Sequence, residues 1–364
     1  MELTKCKLGE LITQRREKNN GSDLPICGVS KDGLIPPKQI DADTSIYNVF
    51  YRDDFIFNPA RMELNSIAIN DKFDRAICSS LYEVFYVHRT DLLLPHFLKL
   101  IVKQPWFTRY CEFLGQGSAR EYCRFNNISE IEIEFPSIEE QRKIVQAYKT
   151  ITDRIELKQK INDNLEAQAD ALFTLKVQNA CEMRSLGSFG TVVTGKTPST
   201  DVSEFYGNDL PFVKTPDMHG NTFITSSENS LSTLGAESQA NKYLPKNTVI
   251  VACIGANAGE VAITSFRSQT NQQINAIISE YPCFLYFSVK SHTAELRALG
   301  EGSSTMININ KTSFENYGIP TLKDNDLLLL EKQLGKIFRL ILSNLQEIDI
   351  LNETKDVLVT RLSR

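Results

Sequence analysis

Apolar positions along the chain fall into two regimes that alternate. From residue 138 to about 178 they recur at helical spacing: Ile144, Tyr148, Ile151 and Ile155 follow at steps of four, three and four, and after a break Ile161, Leu165 and Leu172 continue the stripe. No glycine or proline interrupts this stretch, so the pattern predicts one helix of about 60 Å, far longer than a connector inside a globule. Ser137 with Glu140 reads as a capping box, and Pro136 sits just outside it. Residues 322–364 repeat the device, with Thr321 and Asp324 as the equivalent cap and Leu334, Phe338, Ile341, Leu345 and Ile348 at steps of four, three, four and three. These are coiled-coil spacings. Each stripe needs a partner, and the economical arrangement packs the two helices on each other, antiparallel, holding two globules apart. The alternative lays each helix back on its own globule.

Residues 1–135 and 186–319 read differently. Short runs rich in β-branched and aromatic residues alternate with Gly, Asn, Asp and Pro turns and predict strands at 54–57, 66–69, 83–87, 248–252 and 260–264. One helix is expected over Leu92–Tyr110, and Phe284–Leu299 takes the matching place in the second globule.

The two regimes are one unit used twice. Leu114-Gly115-Gln116-Gly117-Ser118 returns as Leu299-Gly300-Glu301-Gly302-Ser303, and Phe135-Pro136-Ser137 as Ile319-Pro320-Thr321. Leu8-Gly9 and Leu24-Pro25-Ile26 return as Leu186-Gly187 and Leu210-Pro211-Phe212. A period this long is no solenoid. It divides the chain into a first globule at 1–136, a central helix at 137–180, a second globule at 181–320 and a C-terminal helix at 321–364.

Composition narrows the class. At 364 residues the chain has room for two ordinary domains. Its eight cysteines form no CxxC pair and no metal-finger spacing, which suits thiols of a reducing cytosol. No run is long and apolar enough for a membrane span, so a cytoplasmic protein with no membrane partner is expected. Net charge is −5, and the two long helices are each electrically balanced. Binding to nucleic acid therefore needs locally segregated charge or basic partner subunits.

Three stretches carry candidate chemistry. Residues 190–197 match the phosphate-loop pattern GxxxxGK[ST], but Pro198 follows at once and no helical stripe comes after it. Lys196 and Thr197 read better as a polar loop able to meet DNA phosphate. Asn58-Pro59-Ala60-Arg61 has part of an amino-methyltransferase motif but lacks its second proline and its aromatic, leaving Asn58 and Arg61 to shape a strand-end turn or touch DNA. The duplicated glycine loops offer Gln116, Ser118, Arg120 and Arg124 in one copy and Ser303, Thr305 and Lys311 in the other. They are either ordinary tight turns or places where backbone approaches a ligand closely, with Arg120 the foremost candidate for a DNA contact and Lys214 a further basic candidate.

Order, spacing and duplication together resemble the specificity subunit of type I restriction-modification enzymes. Phe135-Pro136-Ser137-Ile138-Glu139-Glu140-Gln141-Arg142-Lys143-Ile144 is similar to that family's globule-to-helix junction, and Ile161-Asn162-Asp163-Asn164-Leu165 to the middle of its spacer. Thr194-Gly195-Lys196-Thr197-Pro198-Ser199 with Gly207-Asn208-Asp209-Leu210-Pro211-Phe212-Val213 resembles the opening of a target recognition domain, and residues 54–61 a stretch of the first such domain. The resemblance implies an α+β fold: two similar, mixed, strand-rich target recognition domains joined by two long antiparallel helices forming a coiled coil. It further implies a non-catalytic subunit whose globules each enter the major groove at one half of a split, asymmetric site in double-stranded DNA. The helices would set the gap and bind two methyltransferase (modification) subunits, which restriction subunits join. S-adenosylmethionine, ATP and Mg would belong to those partners, with none bound by this chain. The competing reading is a coiled-coil interaction scaffold without DNA specificity, which the acidic balance and long seams favour.

Overall fold

Strands form at each of the five apolar runs, and their pairing repeats between the halves. The computed structural model describes residues 3–37, 40, 43–115, 122–178, 180, 182–301 and 307–360. Its contacts divide it into two units, Met1–Ile155 with Leu351–Arg364, and Glu156–Ile350.

In the first unit the strands Ile12–Arg15, Glu83–Val87, Phe55–Phe57 and Ile67–Ile69 make an antiparallel sheet in that order. Gly33–Ile35, Ile26–Ser30, Arg75–Cys78 and Asn48–Tyr51 make a second sheet, with the Ile26–Ser30 and Arg75–Cys78 pair parallel. Phe55 stacks on Phe85 at 5.0 Å, and both belong to a core completed by Phe97, Ile101 and Phe107. Arg15 crosses from this core to the surface. Its guanidinium lies over the rings of Tyr51 and Tyr86 and forks onto the buried Asp54 at 2.6 and 3.1 Å. Burial pushes the Asp54 carboxyl up despite that partner.

The second unit keeps this order, with one strand more in the larger sheet and one fewer, the counterpart of Asn48–Tyr51, in the smaller among the described residues. Gly190–Thr194, Ile274–Ser279, Val249–Ala252, Val261–Thr264 and Phe223–Ile224 form its larger sheet, and Ser230–Leu231, Tyr206–Val213 and Gln269–Thr270 a smaller one. Each unit also has a two-stranded ribbon leading into a long helix, Thr4–Lys7 with Glu132–Phe135 and Glu182–Ser185 with Gly318–Thr321. Beside each ribbon a glycine permits close packing. A Cβ on Gly9 would lie 2.9 Å from Cβ of Ser129, and one on Gly187 would lie 3.2 Å from the Glu315 carbonyl.

The single helices expected over Leu92–Tyr110 and Phe284–Leu299 are each two. Pro95–Val102 gives way to Pro105–Gly115, because Pro105 cannot donate into the preceding turn. Pro282–Ser291 ends where His292 leaves helical geometry before Thr293–Leu299.

The long helices run Ile138–Val177 and Asp324–Thr360. Their entrances differ from expectation. Glu140 pairs with Lys143 at 3.1 Å, and Gln141 makes the junction instead, accepting from the Leu94 amide and donating to the carbonyls of Leu92 and Pro136. Thr321 belongs to the ribbon strand, while Asp324 accepts from Arg184 at 2.9 Å. That helix therefore starts from the Lys323 carbonyl, to which Leu327 donates.

Within the second unit the helices pair antiparallel: Lys158 donates to Glu347 at 2.6 Å and to Asn344 at 2.9 Å, and Asn344 donates to Asn162 at 2.8 Å. Ile161, expected in the seam, is 40% exposed, whereas Asn162 is 8% exposed. Positions 151, 155, 158, 162, 165, 169 and 172 are buried or half-buried and keep an unbroken heptad with Lys158 and Asn162 as polar members, while Glu166 and Phe173 beside it are covered by the globule. A search for apolar residues alone loses that phase. Such buried polar pairs contribute little net stability but fix register.

Leu334, Phe338 and Ile341 join Phe173, Phe284 and Phe287 in the second unit's main core, so here the seam is shared between helix and globule. Glu166 fastens the central helix further, accepting from Thr222 at 2.7 Å, from Tyr286 at 3.0 Å and from Lys290. Burial opposes its charge, but these donors, Lys290 foremost, hold its carboxyl below the usual range. In the first unit, Ile144 packs on the globule core, Tyr148 and Ile151 are half-buried, and Gln104 donates to the Val359 carbonyl at 3.2 Å. Leu345 is half-buried and Ile348 buried.

Candidate nucleic-acid interface

Two of the basic candidates in the first unit are brought together. Asn58 caps the turn Pro59–Leu64 by accepting from the Ala60 amide, so it does shape a strand end. Cys123 donates its amide to the Pro59 carbonyl at 3.0 Å, placing this turn beside the far flank of the glycine loop. Arg61 is exposed, with no ion-pair partner among the described residues. Arg124, also exposed, reaches Glu83 at 3.4 Å and lies near the Tyr122 ring. Gln116, Ser118 and Arg120 of this loop, like Ser303 and Thr305 of its counterpart, lie outside the described residues.

In the second unit Lys196, Thr197 and Lys214 converge on one segment, Gln269-Thr270-Asn271-Gln272-Gln273-Ile274-Asn275. Lys196 donates its amide to the Thr270 carbonyl at 2.9 Å, and Asn271 donates to the Val213 carbonyl beside Lys214. Thr197 Oγ1 donates to Gln272 Oε1 at 2.6 Å. Lys196 is exposed and unpaired among the described residues, whereas the Lys214 ammonium is already engaged by Asn229 at 2.9 Å. Lys311 opens the helix Lys311–Asn316, exposed and paired with Glu315 at 3.3 Å.

The letters of the phosphate-loop pattern have another cause. Residues 190–194 are a strand, and the loop after Gly195 leads to a short 3-10 turn at Ser203–Phe205, so no helix N-terminus faces it. A Cβ on Gly190 would sit 2.0 Å from the Ile278 carbonyl and one on Gly195 2.1 Å from the Asn271 carbonyl. Both glycines serve close backbone contact.

Sequence reading missed the amide segment and Arg267. Five amides in seven residues, next to a strand, were the available signal. Arg267, exposed, lies over the Tyr243 ring at 3.7 Å just before the segment, without an ion-pair partner among the described residues. With Lys196 it supplies the local positive charge that an overall charge of −5 conceals.

Among the described residues no three His, Cys, Asp or Glu converge as metal ligands, and no helix is long and apolar enough to cross a membrane. The described cysteines are free thiols, buried except for the half-buried Cys6.

The family model for the type I restriction modification DNA specificity domain matches twice, at residues 4–167 and 179–358. The HindI specificity subunit of Haemophilus influenzae is 29% identical over 377 aligned positions, spanning 81% of this chain and 82% of its own. The MjaIX specificity subunit of Methanocaldococcus jannaschii is 25% identical across 40% of this chain and 35% of its own. The crystal structure of a type I restriction-modification S subunit from M. genitalium superposes with a TM-score of 0.67 at 14% identity, covering 99% of this chain and 96% of that one, a likeness of fold. With the specificity-domain model matched over nearly the whole length, and a strand order that repeats between the halves as that double match requires, this chain belongs to the type I restriction-modification specificity subunit family.

Proposed function

We propose that the chain is the non-catalytic DNA-reading subunit of a type I restriction-modification complex, acting in the cytoplasm. Each unit reads one half of a bipartite, asymmetric site in double-stranded DNA. The long helices bind two methyltransferase subunits and set the gap, and restriction subunits complete the complex. S-adenosylmethionine, ATP and Mg belong to those partners.

One observation carries this reading. The two units share a strand order but present unlike side chains at the same turn: Ser80-Leu81 after one parallel strand and Gln272-Gln273 after the other. A scaffold that repeats while its exposed turn changes suits two readers of different bases. One domain discriminates only a few base pairs through their edges, and two domains multiply that discrimination.

Co-expression with a methyltransferase subunit, followed by mapping of methylated bases, tests it. The expected result is one split motif with a fixed gap, in which exchanging residues 186–319 for those of a relative alters one half alone. Methylation independent of this chain would favour the interaction scaffold instead.

A further inference from the structure

In the amide segment of the second unit, four of the five amides are committed to the fold and one is presented outward. Gln269 donates to the Ala236 carbonyl at 2.9 Å and accepts from Gln239 at 2.7 Å. Asn275 accepts from Thr194 at 2.6 Å and donates to the Cys253 sulfur. Asn271 accepts from the Gln273 amide and donates to Gln273 Oε1, which also accepts from Thr215, so both lone pairs of that carbonyl are occupied. Gln272 is different. Among the described residues the Nε2 groups of Gln272 and Gln273 both lack a partner, but Gln273 is half-buried with its carbonyl filled, whereas Gln272 is exposed and its Oε1 accepts from Thr197 alone. One lone pair and both amide protons remain available, in an orientation fixed by a neighbour that the close approach of Gly195 to Asn271 locks in place.

The turn itself recurs in the first unit. Ser79 accepts the Leu81 amide on its side chain and the Tyr82 amide on its carbonyl, as Asn271 accepts those of Gln273 and Ile274. The parallel pairings Cys27 with Cys78 and Val213 with Thr270 set the two turns at equivalent places. There the outward residues are Ser80 and Leu81, and Leu81 is 79% exposed. Folding does not ask for an apolar residue so placed, nor for an exposed amide held on one atom. A shared turn with different outward chemistry is what base reading requires.

We propose that Gln272 reads an adenine in the major groove, its Oε1 accepting from the N6 amino group and its Nε2 donating to N7, with Thr197 as the positioning residue. This pairing is the one for which a Gln amide is suited, and the exposed Lys196 and Arg267, without ion-pair partners among the described residues, would serve as phosphate contacts. The inference rests on the functional reading given above and names one specificity contact within it.

The test uses the complex with its methyltransferase subunits on a library of DNA sites. Gln272→Ala should lose its preference for adenine at one position of one half-site by about 5- to 150-fold, with every other position unchanged. Thr197→Ala should relax the same position less, and Thr197→Ser should restore it, which a merely structural role for Thr197 would not produce. Unchanged preference at all positions in Gln272→Ala, or equal weakening at all of them, overturns the assignment. A wild-type complex without a split recognition site would overturn the functional reading and this inference with it; a specific wild-type complex with an indifferent Gln272→Ala overturns this inference alone.

Discussion

Truncating Phe338 should cost the second unit far more than truncating Ile161, although both sit at apolar positions of long helices. Phe338 is 2% exposed and meets Phe223, Tyr286 and Phe287 edge-on, with centroids 5.5–5.6 Å apart. Replacing a buried Phe by Ala costs about 3–5 kcal/mol, and three aromatic contacts of this geometry place Phe338→Ala near the upper end. At about 2–4 °C per kcal/mol for a domain of this size, Tm should fall by about 10–20 °C. Ile161→Ala removes an exposed side chain from a helix and should stay within about 0.5 kcal/mol of the wild type. Thermal and urea unfolding of the purified chain, followed by circular dichroism, read both. Tryptophan fluorescence would not serve, since Trp106, the chain's single tryptophan, lies in the first unit. If Ile161→Ala proved as damaging as Phe338→Ala, the central helix would be rotated from the phase assigned to it, and Asn162 could not be its inward residue.

Three further outcomes follow from other parts of the molecule. Lys103 is held by the carbonyls of Lys31 and Ile67 and by Asn65, and burial lowers its pKa to about 8. Between that value and its ordinary 10.5 the unfolded chain binds more protons, so stability should rise with pH across the window; Lys103→Met should lack that rise in urea midpoints measured from pH 7 to 10. Seven residues inserted after both Ile155 and Ile350 keep the heptad phase and add about 10.5 Å to each helix, so the gap in the methylated motif should widen by about three base pairs at 3.4 Å each, with both half-sites unchanged; a methylome with altered half-sites and the old gap would remove the helices as the ruler. Lys196→Ala should leave the ATP turnover of the full complex on saturating DNA unchanged, and ATP hydrolysis by the isolated chain, lost in that variant, would revive a phosphate loop at residues 190–197.

The elements that proved legible in the sequence are those that burial dictates. Phe55-Ile56-Phe57 and Val249-Ile250-Val251 are buried throughout, and such runs admit few alternatives to a covered strand. The long helices were equally plain because nothing breaks them. Their phase was not, since Lys158 and Asn162 occupy seam positions by pairing with Glu347 and Asn344, residues far away in the chain. The caps failed for a related reason: Thr321 satisfies a capping pattern, yet the ribbon with Glu182–Ser185 claims its backbone first. Tertiary partners outbid local signals wherever a polar residue had two uses.

On the proposed reading, the residues that would set base preference lie where that logic gives least guidance. A turn such as Asn271–Ile274 is specified by its backbone bonds, by the committed amides and by the glycine that lets Thr194–Pro198 lie against it. All of these demands are met whether the outward residue is Gln272 or something else, just as the Ser79–Tyr82 turn is met with Ser80 at the matching place. Folding therefore leaves free the positions on which recognition would depend under that proposal, and the same scaffold can be kept while its outward residues change. The phosphate-loop match is the converse case. Its glycines are required by strand packing at Ile278 and Asn271, so the motif arises from the scaffold and carries no catalytic meaning of its own. In a duplicated molecule, the comparison that separates the two kinds of residue is internal: whatever both units hold at equivalent places serves the fold, and whatever differs at the same exposed turn is where base preference should be sought.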